Sequence, residues 1–268
     1  MNEQVEKISV FLSDWQVLFR EGIHFTLSGE EDMEVIGETT STQEAMATIE
    51  ANPPRVAILN IDQDKLSGVE ATRRLRQDFP SVAVILVMDK DEEDKLFQAM
   101  CSGAAACVTK DIDPDELVST IRNVVNGHKP IINAIFRPGI ASRVMSEFEA
   151  LAGMGEELNR LLAHLSPKES TILGHIANGD TMPQLTQGLG MTEETIRHHL
   201  SIIQDKLCAN EHHQEITAAA QDAIPASFSH NGYRGRLRGQ ATPDYVTKQE
   251  FEAFKESLRL RFKSFVAD

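Results

Sequence analysis

Five short apolar runs, each followed by an amphipathic stretch, occupy the first 125 residues. ISVFL (Ile8–Leu12) precedes a helical pattern over Val17–Leu27, and MEVIGE (Met33–Glu38) precedes one over Thr42–Glu50. RVAILN (Arg55–Asn60) leads into a stretch with Val69, Thr72, Leu75 and Arg76 at helical spacing. VAVILV (Val82–Val87) and AACV (Ala105–Val108) lead into helical patterns over Glu92–Ser102 and Pro114–Val125. The runs are continuously apolar rather than alternating. This predicts strands buried on both faces, hence a parallel sheet between two layers of helices. With right-handed crossovers the natural solution is an α/β, flavodoxin-like, doubly wound domain, with its site at the C-terminal ends of the strands.

A chain of 268 residues leaves room for a second domain. No apolar run approaches the ~18–20 residues that span a bilayer, and no secretory signal pattern opens the chain. Cys101, Cys107 and Cys208 are too few and too scattered for a disulfide framework, so a reducing cytoplasm is expected. The net charge of −15 is unevenly spread. Residues 1–130 carry 12 Lys/Arg against 24 Asp/Glu, residues 164–224 carry 3 against 8, and residues 225–268 carry 8 against 5. The expected organisation is a sheet domain over 1–130, a linker helix over 131–163, a helical domain over 164–224 and an extension over 225–268.

In the linker, Ile140, Val144, Phe148, Leu151, Leu158 and Leu161 or Leu162 define one helical face, and Pro138 suits its start. Gly153 and Gly155 weaken it midway. The stripe fits a two-chain seam or packing onto its own chain equally well. In the next segment SPKE (Ser166–Glu169) is a capping box with proline at the first helical position. Ile172, Leu173 and Ile176 form that helix's core face, and Gly179 stops it. Pro183–Leu189 is a short second helix, Gly190 a turn, and TEET (Thr192–Thr195) caps a third helix with core face Ile196, Leu200, Ile203 and Leu207. Short helix, tight turn and capped helix make a helix-turn-helix. Asn210–Ala223 is expected to supply a fourth helix.

The phrases FLSDWQVLFREG, GVEATRRLR and GAAACVTKD resemble the receiver domain of two-component response regulators, and within that class the NarL/LuxR group. SPKES, TEETIRHHLS and KL resemble the LuxR-type DNA-binding domain. The resemblance implies a receiver site of two acidic residues that hold Mg²⁺, an acceptor aspartate, a hydroxyl residue and a lysine. Only part of this is present. Asp14 remains but its neighbour is Trp15; the acceptor position is Asn60, the hydroxyl position Val87, and the lysine is Lys110. The switch aromatic falls on Cys107. An amide is a poor nucleophile, and one carboxylate is a poor Mg²⁺ site. Phosphorylation-independent control is therefore expected, with Lys110 paired to Asp14 or Asn60. Trp15 either fills the vacated pocket, stacks on a ligand, or covers apolar surface.

For the second domain, the resemblance implies major-groove DNA binding by the third helix. Thr192 and Thr195 match phosphate or capping positions, Arg197 a base-reading position, and His198 and Ser201 neighbouring contacts. His199 matches the family's histidine and Lys206 its basic end. Gln184, Ile202, Gln204 and Asp205 depart from positions that are often basic. An acidic domain offers little phosphate neutralisation, which weakens nonspecific affinity. Six of the nine histidines (His164, His175, His198, His199, His212 and His213) lie here, and their protonation would reverse the local field. Their spacing completes no zinc site.

The extension exceeds the family pattern. Arg234, Arg236 and Arg238 alternate with Gly and Leu, suiting either a minor-groove arm or a linker paired with the acidic first domain. TKQE (Thr247–Glu250) caps a stripe of Phe251, Phe254, Leu258, Phe262 and Phe265. Such a helix is marginal alone and must bury its stripe, here by self-association into a homodimer or higher oligomer. No Ser-His-Asp, metal or nucleotide-phosphate motif appears, so enzyme activity, a cofactor and a bound metal are not expected. The reading is a DNA-binding transcriptional regulator controlled by oligomerisation, a partner protein or a small ligand at the receiver. The alternative is an interaction module whose helix-turn-helix has lost useful DNA affinity.

Overall fold

The computed structural model describes residues 7–62, 66–152 and 162–223, with side chains through Glu211. Arg234, Arg236 and Arg238, the Phe251–Phe265 stripe, Gly153, Gly155, Leu158 and Leu161, and the side chains of His212 and His213 lie outside the described residues. Five parallel strands, β1 (Ile8–Ser13), β2 (Met33–Thr39), β3 (Val56–Asn60), β4 (Ala83–Met88) and β5 (Ala106–Thr109), lie in the order β2-β1-β3-β4-β5. They alternate with α1 (Val17–Ser28), α2 (Thr42–Ala51), α3 (Gly68–Asp78), α4 (Glu93–Ser102) and α5 (Pro114–Val125). This is the flavodoxin-like arrangement that the apolar runs predict. Every residue of β3 is buried, because helices cover both faces of a central parallel strand.

The two faces of the sheet differ in what covers them. On one, Val10, Leu12, Ile58 and Ile85 pack with Ile23 and Leu27 of α1 and Leu117 and Ile121 of α5. On the other, Phe11, Ala57, Leu59 and Leu86 begin a cluster that extends through α2, α3 and α4 and continues without a break. It passes Ile131, Ile132 and Ile135 of a 3-10 segment (Pro130–Phe136), then Ile140, Val144 and Phe148 of α6 (Pro138–Ala152). It ends in Ile172, Ile176, Ile196, Leu200 and Leu207 of the C-terminal helices. The α6 stripe is thus buried within its own chain rather than held open for a second one. Burial of one continuous apolar cluster is the main attraction joining these parts. The described residues through Gln221 belong to one compact unit.

The C-terminal helices are α7 (Pro167–Ala177), α8 (Met182–Leu189) and α9 (Glu193–Ala223). Ser166 and Glu169 form the expected capping box on α7. Gly179 and Gly190 take the positive φ values (90° and 64°) that end α7 and α8. Residues Asn210–Ala223 are helical as expected, but no turn separates them from the third helix. Nothing in Leu207–Cys208–Ala209–Asn210 supplies a glycine for a left-handed stop. Asn210 does not cap a new helix. Its amide Nδ2 donates to the carbonyl of Ala163 (2.9 Å), and its Oδ1 accepts from the Ala163 N–H (2.7 Å). No described helix is long and apolar enough to cross a membrane.

Candidate regulatory site and nucleic-acid interface

The C-terminal edge of the sheet brings together Asp14, Asn60, Val87 and Lys110. Asn60 ends β3 in register with Val87 of β4, and both side chains are buried. Gly68 opens α3 close to the Asn60 backbone, where an added Cβ would overlap the Asn60 carbonyl oxygen. The glycine of VAILNIDQDKLSG is therefore a steric requirement. Asn60 Nδ2 donates to Asp14 Oδ2 (2.6 Å), and Asn60 Oδ1 accepts from the Asp62 N–H (2.8 Å). The other Asp14 oxygen accepts from the Gln16 N–H (2.7 Å). Lys110 Nζ lies 3.1 Å from Asp14 and 2.8 Å from Asp89.

Lys110 thus pairs with Asp14, as one of the two expected arrangements had it, and adds Asp89, which the sequence reading missed. The Val87 side chain contributes no hydrogen-bonding atom to the site, although its backbone carbonyl accepts from the Ile61 N–H (2.8 Å). Trp15 does not fill the pocket at the sheet edge: it is 53% exposed, and its ring centroid lies 5.2 Å from Lys110 Nζ. Phe19 stands at 5.4 Å from the same ammonium. The lysine is held by two carboxylates and flanked by two aromatic rings. These residues do not fit Mg²⁺. The cation wants several hard oxygens in a near-octahedral shell. Here the one buried carboxylate is already bonded by an amide, a backbone N–H and an ammonium. Cys107, at the switch position, is partly buried, and burial pushes its thiol up to about 12. At neutral pH it is therefore protonated and a weak nucleophile.

In the helix-turn-helix, Thr192 Oγ1 accepts from the Thr195 N–H (3.2 Å) and lies 2.8 Å from Thr195 Oγ1, so Thr192 caps α9 and Thr195 hydrogen-bonds to the capping hydroxyl. Gln184 closes a second capping box with Thr181 on α8. Its place is structural rather than a missing phosphate contact. His198 is exposed, while His199 and Ser201 are half-buried. His175 Nδ1 lies 2.6 Å from Asp180. Lys206 turns inward and binds the buried Glu169 at 2.7 Å. Burial pushes the Glu169 carboxyl up. The Lys206 ammonium and the Ser166 backbone N–H outweigh it and hold the group below the usual carboxylate range.

Two faces of α9 are engaged. Ile196, Leu200, Ile203 and Leu207 face the helical core. Gln204, Cys208 and Glu211, at spacings of four and three, face the receiver, and Arg197, one heptad earlier, faces the 3-10 segment that follows it. Gln204 is buried and donates to the carbonyls of Met100 (3.3 Å) and Ala104 (3.0 Å) at the end of α4. Cys208 donates to the same Met100 carbonyl (3.4 Å). Asp205 accepts from Arg76 (2.9 Å) and Lys129 (2.8 Å), and Arg73 pairs with Glu211. Arg197, paired with Glu193, also reaches Asn133 (2.7 Å). Gly103, at φ 87°, leaves the space that Arg76 occupies, since a Cβ there would collide with its guanidinium. Sequence reasoning missed this interface. The signal was the run Gln204–Asp205 at positions that the family often makes basic.

Comparison with known proteins places both halves. Residues 10–122 match the response regulator receiver domain, and residues 163–219 match the bacterial regulatory proteins of the luxR family. The chain is 27% identical to the transcriptional regulatory protein DegU of Brevibacillus brevis, over 83% of this chain and 98% of that protein. It is 28% identical to the uncharacterized transcriptional regulatory protein YxjL of Bacillus subtilis (82% and 98%). It is also 28% identical to the DNA-binding transcriptional activator DevR/DosR of Mycobacterium tuberculosis (75% and 88%). The chain belongs to the NarL/LuxR-type response regulators, a class of DNA-binding transcription regulators.

Proposed function

We propose that this regulator works without phosphoryl transfer, and that its receiver acts on DNA binding by holding α9. The observation that carries the reading is Asn60 at the acceptor position, with its amide donating to Asp14. An amide lacks the anionic oxygen that forms an acyl phosphate. Lys110 and the buried Asp14 carboxylate satisfy one another where a metal and phosphate would otherwise be held. Control then falls to oligomerisation, a partner protein or a ligand. The working division is a receiver over 1–130, a linker over 131–163, a DNA-binding domain over 164–224 and an extension over 225–268. Within it, Thr192, Thr195, Arg197, His198, His199 and Ser201 are the DNA contacts of the released helix. Lys206 stands apart from them, because Glu169 holds it. The Phe251, Phe254, Leu258, Phe262 and Phe265 stripe is assigned to self-association.

The test is incubation with acetyl phosphate and Mg²⁺ followed by intact-mass measurement. No added phosphate and an unchanged DNA affinity are expected. A phosphorylated species with altered affinity would sink the proposal. The docked, acidic α9 region also favours a second reading, an interaction module with little DNA affinity. Binding to upstream DNA that weakens as salt rises supports the first reading, and salt-independent or absent binding supports the second.

A further inference from the structure

A cavity of about 760 Å³ lies where receiver, linker and α9 meet. Its wall draws on the loop after Asn60 (Ile61, Asp62), on α3, α4 and α6, and on Leu207, Asn210 and Glu211 of α9. The volume falls within the range of small-molecule sites, which favour domain junctions. Val69, Phe97, Leu151 and Leu207 give it apolar surface.

Five charged side chains line it: Asp62, Arg73, Arg143, Glu147 and Glu211. Four have opposite charges at hand. Asp62 pairs with Lys95 (2.7 Å), and Arg143 pairs with Asp94 (2.6 Å) while lying 4.0 Å over the Phe97 ring. Arg73 and Glu211 pair with each other. Glu147 alone makes no ion pair among the described residues. Its carboxylate is close enough to Cys101, inside the same cavity, to help burial push that thiol far above its ordinary value. The formal charge of the wall is negative, and its one unpaired charge among the described residues, the Glu147 carboxylate, stands beside apolar patches in a mostly polar lining. An organic anion would meet the Glu147 carboxylate, while the nearby Arg143 is already paired with Asp94. A neutral molecule would leave it unpaired. A cation with an apolar body satisfies both features.

We propose that this cavity binds a small amphipathic organic cation through Glu147. The residues Leu207, Asn210 and Glu211 form part of the wall only while α9 is docked, so an occupant stabilises the docked state. This second step rests on the docking reading under Proposed function; the binding step does not.

Saturation-transfer NMR on the full chain tests it with 2-phenylethylamine as the probe and phenylacetate as its charge-reversed counterpart. The amine is expected to bind at least about tenfold more tightly than the acid. Glu147→Gln should weaken the amine by at least about tenfold, whereas Glu149→Gln, on the exposed side of the same helix, should leave it unchanged. Equal binding of the two probes, binding of neither, or an unaffected Glu147→Gln protein would overturn the site. Saturating amine should then lower DNA affinity severalfold in wild type and leave Glu147→Gln unaffected. Amine binding with an unchanged DNA affinity overturns the link to α9. Should the protein bind no DNA at all, the functional reading fails while the NMR result still decides the cavity.

Discussion

The sheet-edge cluster around Asn60 and the receiver-facing side of α9 both satisfy their polar groups, but with different partners. At the sheet edge, Asp14, Asn60, Lys110 and Asp89 bond to one another within one domain. On α9, Gln204, Asp205 and Glu211 bond to groups of the receiver. A network closed within one domain can be undone only by unfolding that domain. One closed across two can be exchanged for another partner at the cost of separation. The first arrangement therefore suits structure and the second suits a switch.

The strongest way to break this contrast is to remove the buried carboxylate. Asp14→Ala should cost about 3 kcal/mol in urea unfolding, because it strands the Asn60 amide and one side of Lys110. A loss well below about 1 kcal/mol would mean that the site is looser than its geometry. Next in size, Gly68→Ala should cost about 2 kcal/mol, since its Cβ would overlap the Asn60 carbonyl. Thermal denaturation would register this, and an unchanged midpoint would count against the steric argument.

The α9 interface should respond in the opposite sense. Asp205→Lys removes the partner of Arg76 and Lys129, both partly exposed, so stability should change by less than about 1 kcal/mol. DNA affinity should rise about tenfold, and the salt dependence should steepen by about one phosphate contact. Fluorescence anisotropy over a salt series would measure both, and a weaker complex would contradict the docking reading.

The smallest effect is expected on acidification. The folded Glu169 is held below its unfolded value of 4.5. Its contribution to stability is thus present above pH 4.5 and is lost as pH falls through the lowered folded value. Lys206→Met should flatten that part of the stability–pH curve. A wild-type slope in the variant would assign the effect elsewhere.

Much of this was legible in the sequence. Continuous apolar runs required a doubly covered parallel sheet, and SPKE, Gly179, Gly190 and TEET set the limits of the helix-turn-helix. The departures at Asn60 and Val87 were visible because a single position fixes whether a carboxylate or hydroxyl is present. Local chemistry reports local structure, through caps, turns and periodicity. What Lys110 and α9 bind depended on residues distant in the chain. Lys110 found Asp89 as well as Asp14, and Trp15 stayed partly in solvent, because the meeting of three strand ends decides which charges lie within reach. Gln204 and Asp205 looked like missing DNA contacts until α4, Arg76 and Lys129 were set against them. The sequence by itself determined the elements and placed an amide, not a carboxylate, at the end of the third apolar run. Only the tertiary structure decided which polar groups pair, because hydrogen bonds and ion pairs act over a few ångströms while their partners lie up to 138 residues apart.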